Sequence, residues 1–240
     1  MRHKAWMSTI AYWLGLVALF SLPYRNSEWI NWLPAILLTY IVASITISVG
    51  YHRLFCHNSF KTNSFWHYLF AITGTLFMYS SPLQWAVTHS THHKRSDSDL
   101  DPHPLPKYAM FFKGYRNVPL DTWQARRLIK SSGIFHAFID KWYVGIFVSL
   151  VILIWLIYPN YVIYAFLPSL GVSHFIGGLH NVISHSAKRP RDLAFMEYIL
   201  PASGEWLHGG HHDKPGRSDF RTKWYHFDLG ALVIKSIKKR

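Results

Sequence analysis

Cysteine and charged residues are both scarce in this chain, and each scarcity excludes a class of protein. Cys56 is the single cysteine among 240 residues. It excludes an intrachain disulfide and any zinc or iron–sulfur site that is built from several cysteines. Asp, Glu, Lys and Arg together make up 15% of the chain, whereas a soluble domain averages about 25%. The composition is therefore not that of an ordinary soluble domain.

Charged residues are absent from four long stretches, which cover residues 5–24, 29–52, 62–93 and 142–187. A helix needs about 20 apolar residues to cross a bilayer. The last stretch is interrupted at Pro159-Asn160 and so accommodates two spans. We predict an all-α integral membrane protein, one domain over residues 1–240, with four transmembrane helices in two hairpins. The spans cover approximately residues 6–22, 29–51, 143–158 and 161–180.

The stretch 62–93 is apolar but contains Gly74 and Pro82. His57 precedes it and His89 follows it, so a single crossing would separate these histidines by the width of the membrane. If both serve one site, the chain must return to the side that it left. Residues 64–82 are therefore predicted to form an interfacial or re-entrant segment packed on the bundle.

Positive charge is concentrated on one side of the predicted membrane. Of 25 Lys and Arg residues, all except Arg25 precede the first span or lie within the segments 52–141 and 186–240. The positive-inside rule places both termini and both segments in the cytoplasm. The net charge of +13 suits contact with anionic lipid or docking of an acidic redox partner. Nucleic-acid binding is not expected, because no nucleic-acid motif accompanies the charge.

The pattern His-x-x-His-His occurs twice, at His89–His93 and at His208–His212. On a helix this spacing places three imidazoles on one face. In a chain with 16 histidines, two matches would arise by chance in roughly a few sequences per thousand. Imidazole is the commonest metal ligand among side chains, so the two triplets predict a metal site.

Three further histidines end predicted spans. His52 and His57 end the second span, and His185 ends the fourth, one helical turn after Asn181. The spacing of His52 and His57 does not share a face of an ideal α-helix, so the helix is expected to end or bend between them. The first triplet would then open the next segment, and nine histidines could converge just below the membrane surface.

Nine nitrogen ligands exceed what one ion accepts, which favours two ions with four or five ligands each. A nitrogen-rich site without sulfur suits Fe, Zn, Cu or Ni. Structural zinc uses four ligands and catalytic zinc uses three, so the surplus favours a pair of redox metals, with iron first. Asp97, Asp99 and Asp101 are expected to orient ligand histidines or to cap helices.

Six stretches carry a family resemblance: Gly50–Phe60, Gln84–His93, Asp101–His103, Asn181–His185, Gly204–His212 and Trp224–Asp228. They resemble the membrane-bound fatty acyl desaturases, specifically the Δ9 group of stearoyl-CoA desaturases and bacterial acyl-lipid desaturases. The resemblance extends over about residues 30–235. It implies two non-haem irons held by His52, His57, His89, His92, His93, His185, His208, His211 and His212, with Asn181 approaching one iron through a water.

The resemblance also implies a reaction and a substrate site. O₂ and two electrons would remove two hydrogens from an acyl chain and leave a cis double bond. A kinked apolar tunnel between the spans and a cytoplasmic helical cap would hold the chain. Trp85 is either a tunnel wall or an interfacial residue. His174 is either a tunnel wall or a buried hydrogen-bonding residue.

The sequence differs from the family pattern at several positions, and some of these differences affect which acyl carrier and which electron donor are expected. Val87-Thr88 replaces the Arg-Asp of animal acyl-CoA members, which favours a glycerolipid or another carrier, such as acyl-ACP, over acyl-CoA. Gly209-Gly210 replaces the usual Asn of the last box and is expected to loosen the helix there. His226 stands where a Glu is common. Since the sequence contains no fused cytochrome b5 motif, a separate donor such as ferredoxin or cytochrome b5 is expected.

Three other functions fit part of the pattern. A di-iron fatty acyl hydroxylase would use similar histidines but release a hydroxylated chain. A zinc-dependent membrane hydrolase needs about three histidines and leaves six without a role. A membrane haem protein for electron transfer needs paired histidines at bilayer depth, whereas only His174 lies clearly inside a predicted span.

Overall fold

We describe a computed structural model of the chain that covers residues 5–104, 106–116, 118–120, 122–132, 134–186 and 189–239. Residues 1–4 and Arg240, which the charge pattern places in the cytoplasm, lie outside the described residues. The helices are α1 Ala5–Arg25, α2 Leu33–Ile45, α3 Ser64–Leu76, α4 Pro82–Arg95, α5 Met110–Lys113, α6 Trp123–Ser132, α7 Phe135–Ile157, α8 Pro159–Tyr161, α9 Leu167–Ser184, α10 Met196–Ile199, α11 His208–Asp213 and α12 Leu229–Ile237. Short 3₁₀-helices cover Trp29–Trp32 and Lys107–Ala109, and π-helical stretches cover Thr46–Cys56 and Val162–Phe166.

Four helical runs are long and apolar enough to cross a membrane, which confirms the predicted all-α fold class. They extend over Met7–Arg25, Trp29–Cys56, Phe135–Ile157 and Pro159–Ser184. Their outer faces expose large apolar side chains such as Phe20, Leu38 and Leu156. Soluble proteins rarely expose contiguous apolar surface on this scale, so these faces are suited to lipid.

The observed helices extend beyond the predicted span limits. Those limits were placed within the charge-free stretches, but a helix can continue through charged residues. The third run begins at Phe135 instead of residue 143 and includes Asp140 and Lys141. Its backbone leaves helical geometry at Trp142, with φ −104° and ψ 17°. The apolar part of the run therefore follows a kink, close to the predicted start.

Helix α9 is the centre of the bundle, and both α1 and α2 pack against it. Gly15 of α1 faces Gly171 of α9 so closely that a Cβ atom on Gly15 would lie 2.0 Å from the Gly171 nitrogen. Ser169 donates a hydrogen bond to the Ile36 carbonyl of α2 (2.9 Å). Small residues permit such close packing of helices in a bilayer.

The chain reverses direction between α3 and α4. Met78 and Ser80 in the connecting turn have left-handed φ values of 55° and 75°, and Ser81 caps α4 by accepting a hydrogen bond from the Gln84 amide. As a result, the rings of His57 and His89 lie 5.4 Å apart. The segment between these histidines therefore turns back and brings them to one place in the fold.

A buried ion pair fastens the C-terminal segment to the second long helical run. Arg53 and Asp228 are both fully buried, and two hydrogen bonds of 3.1 and 3.0 Å join them. The guanidinium group lies 3.7 Å from the centre of the Phe220 ring. Asp228 also caps α12 by accepting from the Ala231 amide (2.9 Å). Removal of one partner from such a pair costs about 3–5 kcal/mol.

Replacing Gly15 by leucine is expected to lower the melting temperature of the detergent-purified protein. The new side chain would collide with the backbone of α9 at Gly171, and overpacking costs about 1–3 kcal/mol. Gly145→Leu is the matched control, because a Cβ atom there meets nothing within 4 Å. Equal melting temperatures for the two variants would contradict the close packing of α1 on α9.

Candidate metal centre

The nine candidate histidines lie together in two groups. One group has five members and the other has four, and within each group the potential ligand atoms lie within 4.8 Å of one another. The larger group, here called the five-histidine group, contains His52, His57, His89, His93 and His211. The smaller one, the four-histidine group, contains His92, His185, His208 and His212.

Each His-x-x-His-His triplet contributes to both groups. In α4, His89 and His93 join the five-histidine group while His92 joins the other. In α11, His211 joins the five-histidine group, whereas His208 and His212 join the four-histidine group. The residues four apart thus stay together, and the third imidazole points to the neighbouring group.

The nitrogen positions in the five-histidine group fit a metal ion. The Nε2 atoms of His52, His89, His93 and His211 form a closed ring whose edges measure 3.0, 3.0, 3.0 and 2.8 Å. Imidazole nitrogens bind zinc at about 2.1 Å, and two such nitrogens at a right angle lie about 3.0 Å apart. The Nε2 atom of His57 is buried and has no hydrogen-bond partner among the described residues.

The nitrogen positions in the four-histidine group also fit a metal ion. The Nε2 atom of His208 lies 2.8 Å from that of His185 and 3.0 Å from that of His212. The Nε2 atom of His92 is buried without a hydrogen-bond partner in the part of the chain that the structure describes. Buried nitrogens without partners are costly, and a bound metal would satisfy them.

Carboxylates hold the opposite ring nitrogens of three histidines. His52 Nδ1 lies 2.7 Å from Glu205, His92 Nδ1 lies 2.9 Å from Asp101, and His185 Nδ1 lies 3.1 Å from Asp97. A proton on each Nδ1 satisfies these contacts and leaves the Nε2 lone pair free. Such partners fix the tautomer and the ring orientation of a metal ligand.

A lysine links two of these carboxylates. The Nζ atom of Lys107 lies 3.0 Å from Asp97 and 2.7 Å from Asp101. Asp101 also accepts hydrogen bonds from the Asp97 and His103 amides, both at 2.9 Å. The predicted orienting role is therefore met in geometry by Asp97 and Asp101. Asp99 is exposed, and its backbone carbonyl accepts a hydrogen bond from Arg116.

Burial keeps imidazoles of both groups neutral at physiological pH. It lowers the pKa of His57 and of His212 to about 2, with neighbouring histidines adding repulsion. The pKa values of His89, His208 and His211 are lowered well below the ordinary range for the same two reasons. Metal ligation requires the neutral ring, because only that form has a free lone pair.

The expectation that the helix ends or bends between His52 and His57 is met, because the helix ends at Cys56 and His57 is its C-cap residue. A π-helix runs through this region from Thr46 to Cys56, and the His57 amide donates to the His52 carbonyl over 3.0 Å. In π-helical geometry the bonded residues are five apart, so the two rings come to lie 4.9 Å from each other. The wider π-helical turn therefore brings together two rings that would not share a face of an α-helix.

One smaller expectation is corrected. The first triplet lies in the last two turns of α4 and does not open a segment, because the helix begins earlier at Pro82.

Gly209 and Gly210 lie in α11 and pack closely on the preceding segment. A Cβ atom on Gly209 would lie 2.9 Å from the Pro190 carbonyl oxygen, and the Gly210 amide donates to Asp192 (2.9 Å). The missing side chain of Gly209 permits the close approach to Pro190, and the looser helix expected from the two glycines stays a prediction.

A cavity of about 160 Å³ opens beside both groups and extends between the second and fourth long helical runs. Trp85 lines it and stacks on His89 with ring centres 4.6 Å apart. His174 lines it as well and approaches the Phe77 carbonyl oxygen through Nε2 (2.9 Å). His174 therefore lines the cavity and contacts a backbone carbonyl, and its role as a wall of a substrate tunnel stays a prediction. Asn181 lines the cavity and donates to the Gly177 carbonyl (2.9 Å).

Several residues that contact the two histidine groups were not predicted from the sequence. Glu205 contacts His52 across 153 positions of sequence, and His103 stacks on His92 with ring centres 3.9 Å apart. His180 approaches the His208 ring edge-on at 4.4 Å. Glu205 had one usable signal, since an acidic residue close to a triplet is notable in a chain with 12 acidic residues.

Comparison with curated proteins gives similar sequences of one kind. The sn-1 stearoyl-lipid 9-desaturase of Anabaena variabilis is 38% identical over 104 residues, and the Delta-9 acyl-lipid desaturase 1 of Arabidopsis thaliana is 39% identical over 103. The acyl-CoA 5-desaturase AL21 of Anemone leveillei is 25% identical over an alignment of 259 positions. This chain is a homologue of the acyl-lipid and acyl-CoA desaturases.

The extent of the similarity differs among these desaturases. The first two alignments each cover 42% of this chain, and 38% and 31% of the respective relatives. The third covers 98% of this chain and 78% of its relative. No profile of a known protein family matches the sequence. The desaturase homology and the four apolar helices together indicate a multi-pass membrane protein, and the histidine groups indicate metal binding.

Asp101→Asn and Glu205→Gln are expected to lower the metal content of the purified protein. Each change removes the carboxylate charge that faces a ligand imidazole, in the four-histidine and the five-histidine group respectively. Loss of such a partner typically weakens metal binding by about 10–100-fold. Elemental analysis after dialysis against a chelator measures the effect.

Asp219→Asn is the matched control for these two changes, because Asp219 pairs with Arg221 at the exposed surface. If all three variants retained as much metal as the unchanged protein, the carboxylates would have no role in holding the ligands. A loss in the control as large as in the other two would point to general unfolding.

Proposed function

We propose that the chain is a membrane fatty acyl desaturase that inserts a cis double bond, at the Δ9 position, into a saturated acyl chain. One observation carries the proposal: two groups of buried and half-buried imidazoles, five and four in number, open onto one mostly apolar cavity. The reaction consumes one O₂, two electrons and two protons. Together with the two hydrogens removed from the acyl chain, these form two waters, and the chain becomes an alkene.

Two irons fit these donor sets. Nitrogen ligands without sulfur suit iron among the first-row metals, and a total of nine exceeds the needs of zinc. Bound there, a pair of non-haem irons would supply the redox chemistry that activates O₂. The ligands are the members of the two histidine groups, and Asn181 is assigned a contact through water.

The residues of this chain hold the reacting parts in place and exclude water. Glu205, Asp97 and Asp101 fix the ring orientation of their histidines. Trp85, stacked on His89, forms a wall of the cavity next to the five-histidine group. The cavity would place one CH₂–CH₂ unit of the acyl chain beside the irons, and its apolar walls would keep bulk water from the oxidant.

Membrane orientation follows from the charge distribution. The four long helices cross the bilayer, and the termini, the segments 52–141 and 186–240, and the metal site lie on the cytoplasmic side. Segment 64–82 is interfacial or re-entrant. The whole chain, residues 1–240, then forms a single domain. The excess of Lys and Arg on that side supports this orientation.

The substrate carrier and the electron donor are separate proposals. Two of the similar proteins are named for acyl-lipid substrates, which supports a glycerolipid carrier, and Val87-Thr88 argues against acyl-CoA. Two electrons per turnover would come from a separate donor such as ferredoxin or cytochrome b5. A basic cytoplasmic face would attract an acidic donor.

Expression in a host that lacks unsaturated acyl chains tests the reaction, the position and the carrier together. The expected result is a cis-Δ9 alkene in the acyl chains of the membrane glycerolipids. Gas chromatography with mass spectrometry, after separation of lipids by head group, measures it. A hydroxylated chain in place of the alkene would assign the protein to the hydroxylases and contradict the proposal.

His92→Ala is expected to abolish product formation in the same host while the protein still inserts in the membrane. The substitution removes one of the four nitrogens of the smaller group. His226→Gln is the control, because His226 lies outside both groups. Immunoblots of membrane fractions establish equal protein levels. Full activity of His92→Ala would refute the metal assignment.

A further inference from the structure

A second, smaller cavity of about 30 Å³ adjoins the main one. The two share four lining residues: Ser8, Tyr115, His174 and Gly178. The second cavity is bounded by Thr9 and Tyr12 of α1 and by Met110 and Phe111 of α5. The space beside the metal site therefore continues towards the contact between α1, α9 and α5.

The ring of Phe111 fills the contact between these helices. A Cβ atom on Gly178 of α9 would lie 2.2 Å from Cε1 of Phe111, so the ring can sit there only because residue 178 has no side chain. The ring centre lies 5.2 Å from that of Tyr12 and 6.1 Å from that of Phe175. Phe111 is thus a wedge between α1 and α9, held by aromatic contacts.

The outer side of this wedge faces the surface that is suited to lipid. Trp13 of α1 is 43% exposed and donates a hydrogen bond to the Phe111 carbonyl (3.0 Å). Phe112, the next residue of α5, is 64% exposed, and its ring centre lies 5.8 Å from that of Trp13. Trp13 belongs to the same exposed face of α1 as Leu14 and Val17.

The wedge lies near the start of the first long helix. Ser8 and Tyr12 belong to the first two turns of α1, which begins at Ala5. With a rise of about 1.5 Å per residue, these positions lie within about 10 Å of the helix start. This depth is close to the membrane interface, where the ester groups and the first methylenes of a glycerolipid lie.

The segment that carries the wedge is short and has a turn that can serve as a hinge. Helix α5 consists of four residues and is followed by Gly114, whose φ of 63° and ψ of −165° suit glycine alone. Lys113 and Arg116 beside it are exposed. Basic side chains at this depth favour contact with lipid phosphates.

We propose that residues 106–116 close a lateral portal between α1 and α9, through which the acyl chain of a membrane glycerolipid enters the cavity from the bilayer. Outward movement of Phe111 joins the smaller cavity to the lipid phase. The proposal rests on the proposed function, because it takes the main cavity as the acyl site. It goes further by assigning the route and the class of substrate that can use it.

Photolabelling tests the route without reference to catalysis. The metal-loaded protein in phosphatidylcholine vesicles is exposed to a phosphatidylcholine that carries a diazirine on one acyl chain, and labelled peptides are mapped by mass spectrometry. We expect label on the peptides that contain Trp85 and His174, inside the main cavity. Label there from a diazirine acyl-CoA alone, with none from the lipid probe, would overturn the portal.

A reversible lock tests the moving part. In Trp13→Cys/Phe112→Cys a short bifunctional thiosulfonate should join α1 to α5, and the native Cys56 is buried and does not compete. Locking is expected to reduce cavity labelling by the lipid probe about tenfold or more, with recovery on reduction, because closed lids block exchange with the surroundings. The single-cysteine variants treated with the same reagent are the controls.

Phe111→Ala provides an independent variant, because loss of the ring should open the portal and raise the labelling rate. Equal labelling in the locked, reduced and Phe111→Ala forms would overturn the proposal. If locking stopped labelling but no form desaturated a lipid, the portal would stand and the proposed function would fail. If desaturation of the lipid continued unchanged in the locked form, the function would stand and the portal would fail.

Discussion

The convergence of nine buried or half-buried imidazoles is the constraint on which the rest of this structure depends. A buried nitrogen without a partner destabilises the fold, and the Nε2 atoms of His57 and His92 are two such nitrogens among the described residues. Other Nε2 atoms of the two groups lie as close as 2.8 Å to each other. A metal ion stabilises such an arrangement because it accepts all the lone pairs at once. Each triplet divides its members between the two groups, so α4 and α11 must lie across both groups and neither can shift alone.

Several features of the fold serve this requirement. The π-helix brings His57 over His52, the left-handed turn between α3 and α4 returns His89 to the same place, and the Arg53–Asp228 pair holds the C-terminal segment beside them. Phe220 joins the two, because its ring lies against Arg53 and 4.5 Å from the ring of His211. The contacts that hold these parts of the fold therefore also position the candidate ligands.

The helices and the histidine triplets could be predicted from local patterns of the sequence, and the convergence of all nine histidines from the family resemblance. Charge-free stretches mark the long helices, and the spacing of the triplets marks the histidines that point together. The π-helix could not be predicted in this way, since hydrophobic periodicity does not distinguish a widened helical turn from a break. An orienting role was predicted for Asp97 and Asp101, but not for Glu205, which contacts His52 over 153 residues of sequence. The sequence also did not indicate that Asp97 would contact His185, which lies 88 residues away.

Four of the 12 acidic residues make contacts that hold the candidate metal centre or the segment beside it. Asp97, Asp101 and Glu205 contact candidate ligand histidines, and Asp228 is buried against Arg53. Asp101 and Asp228 are fully buried and Asp97 is partly exposed, whereas many Lys and Arg side chains are exposed. Negative charge therefore lies beside the candidate ligands, and the exposed positive charge favours contact with anionic lipid or an acidic partner.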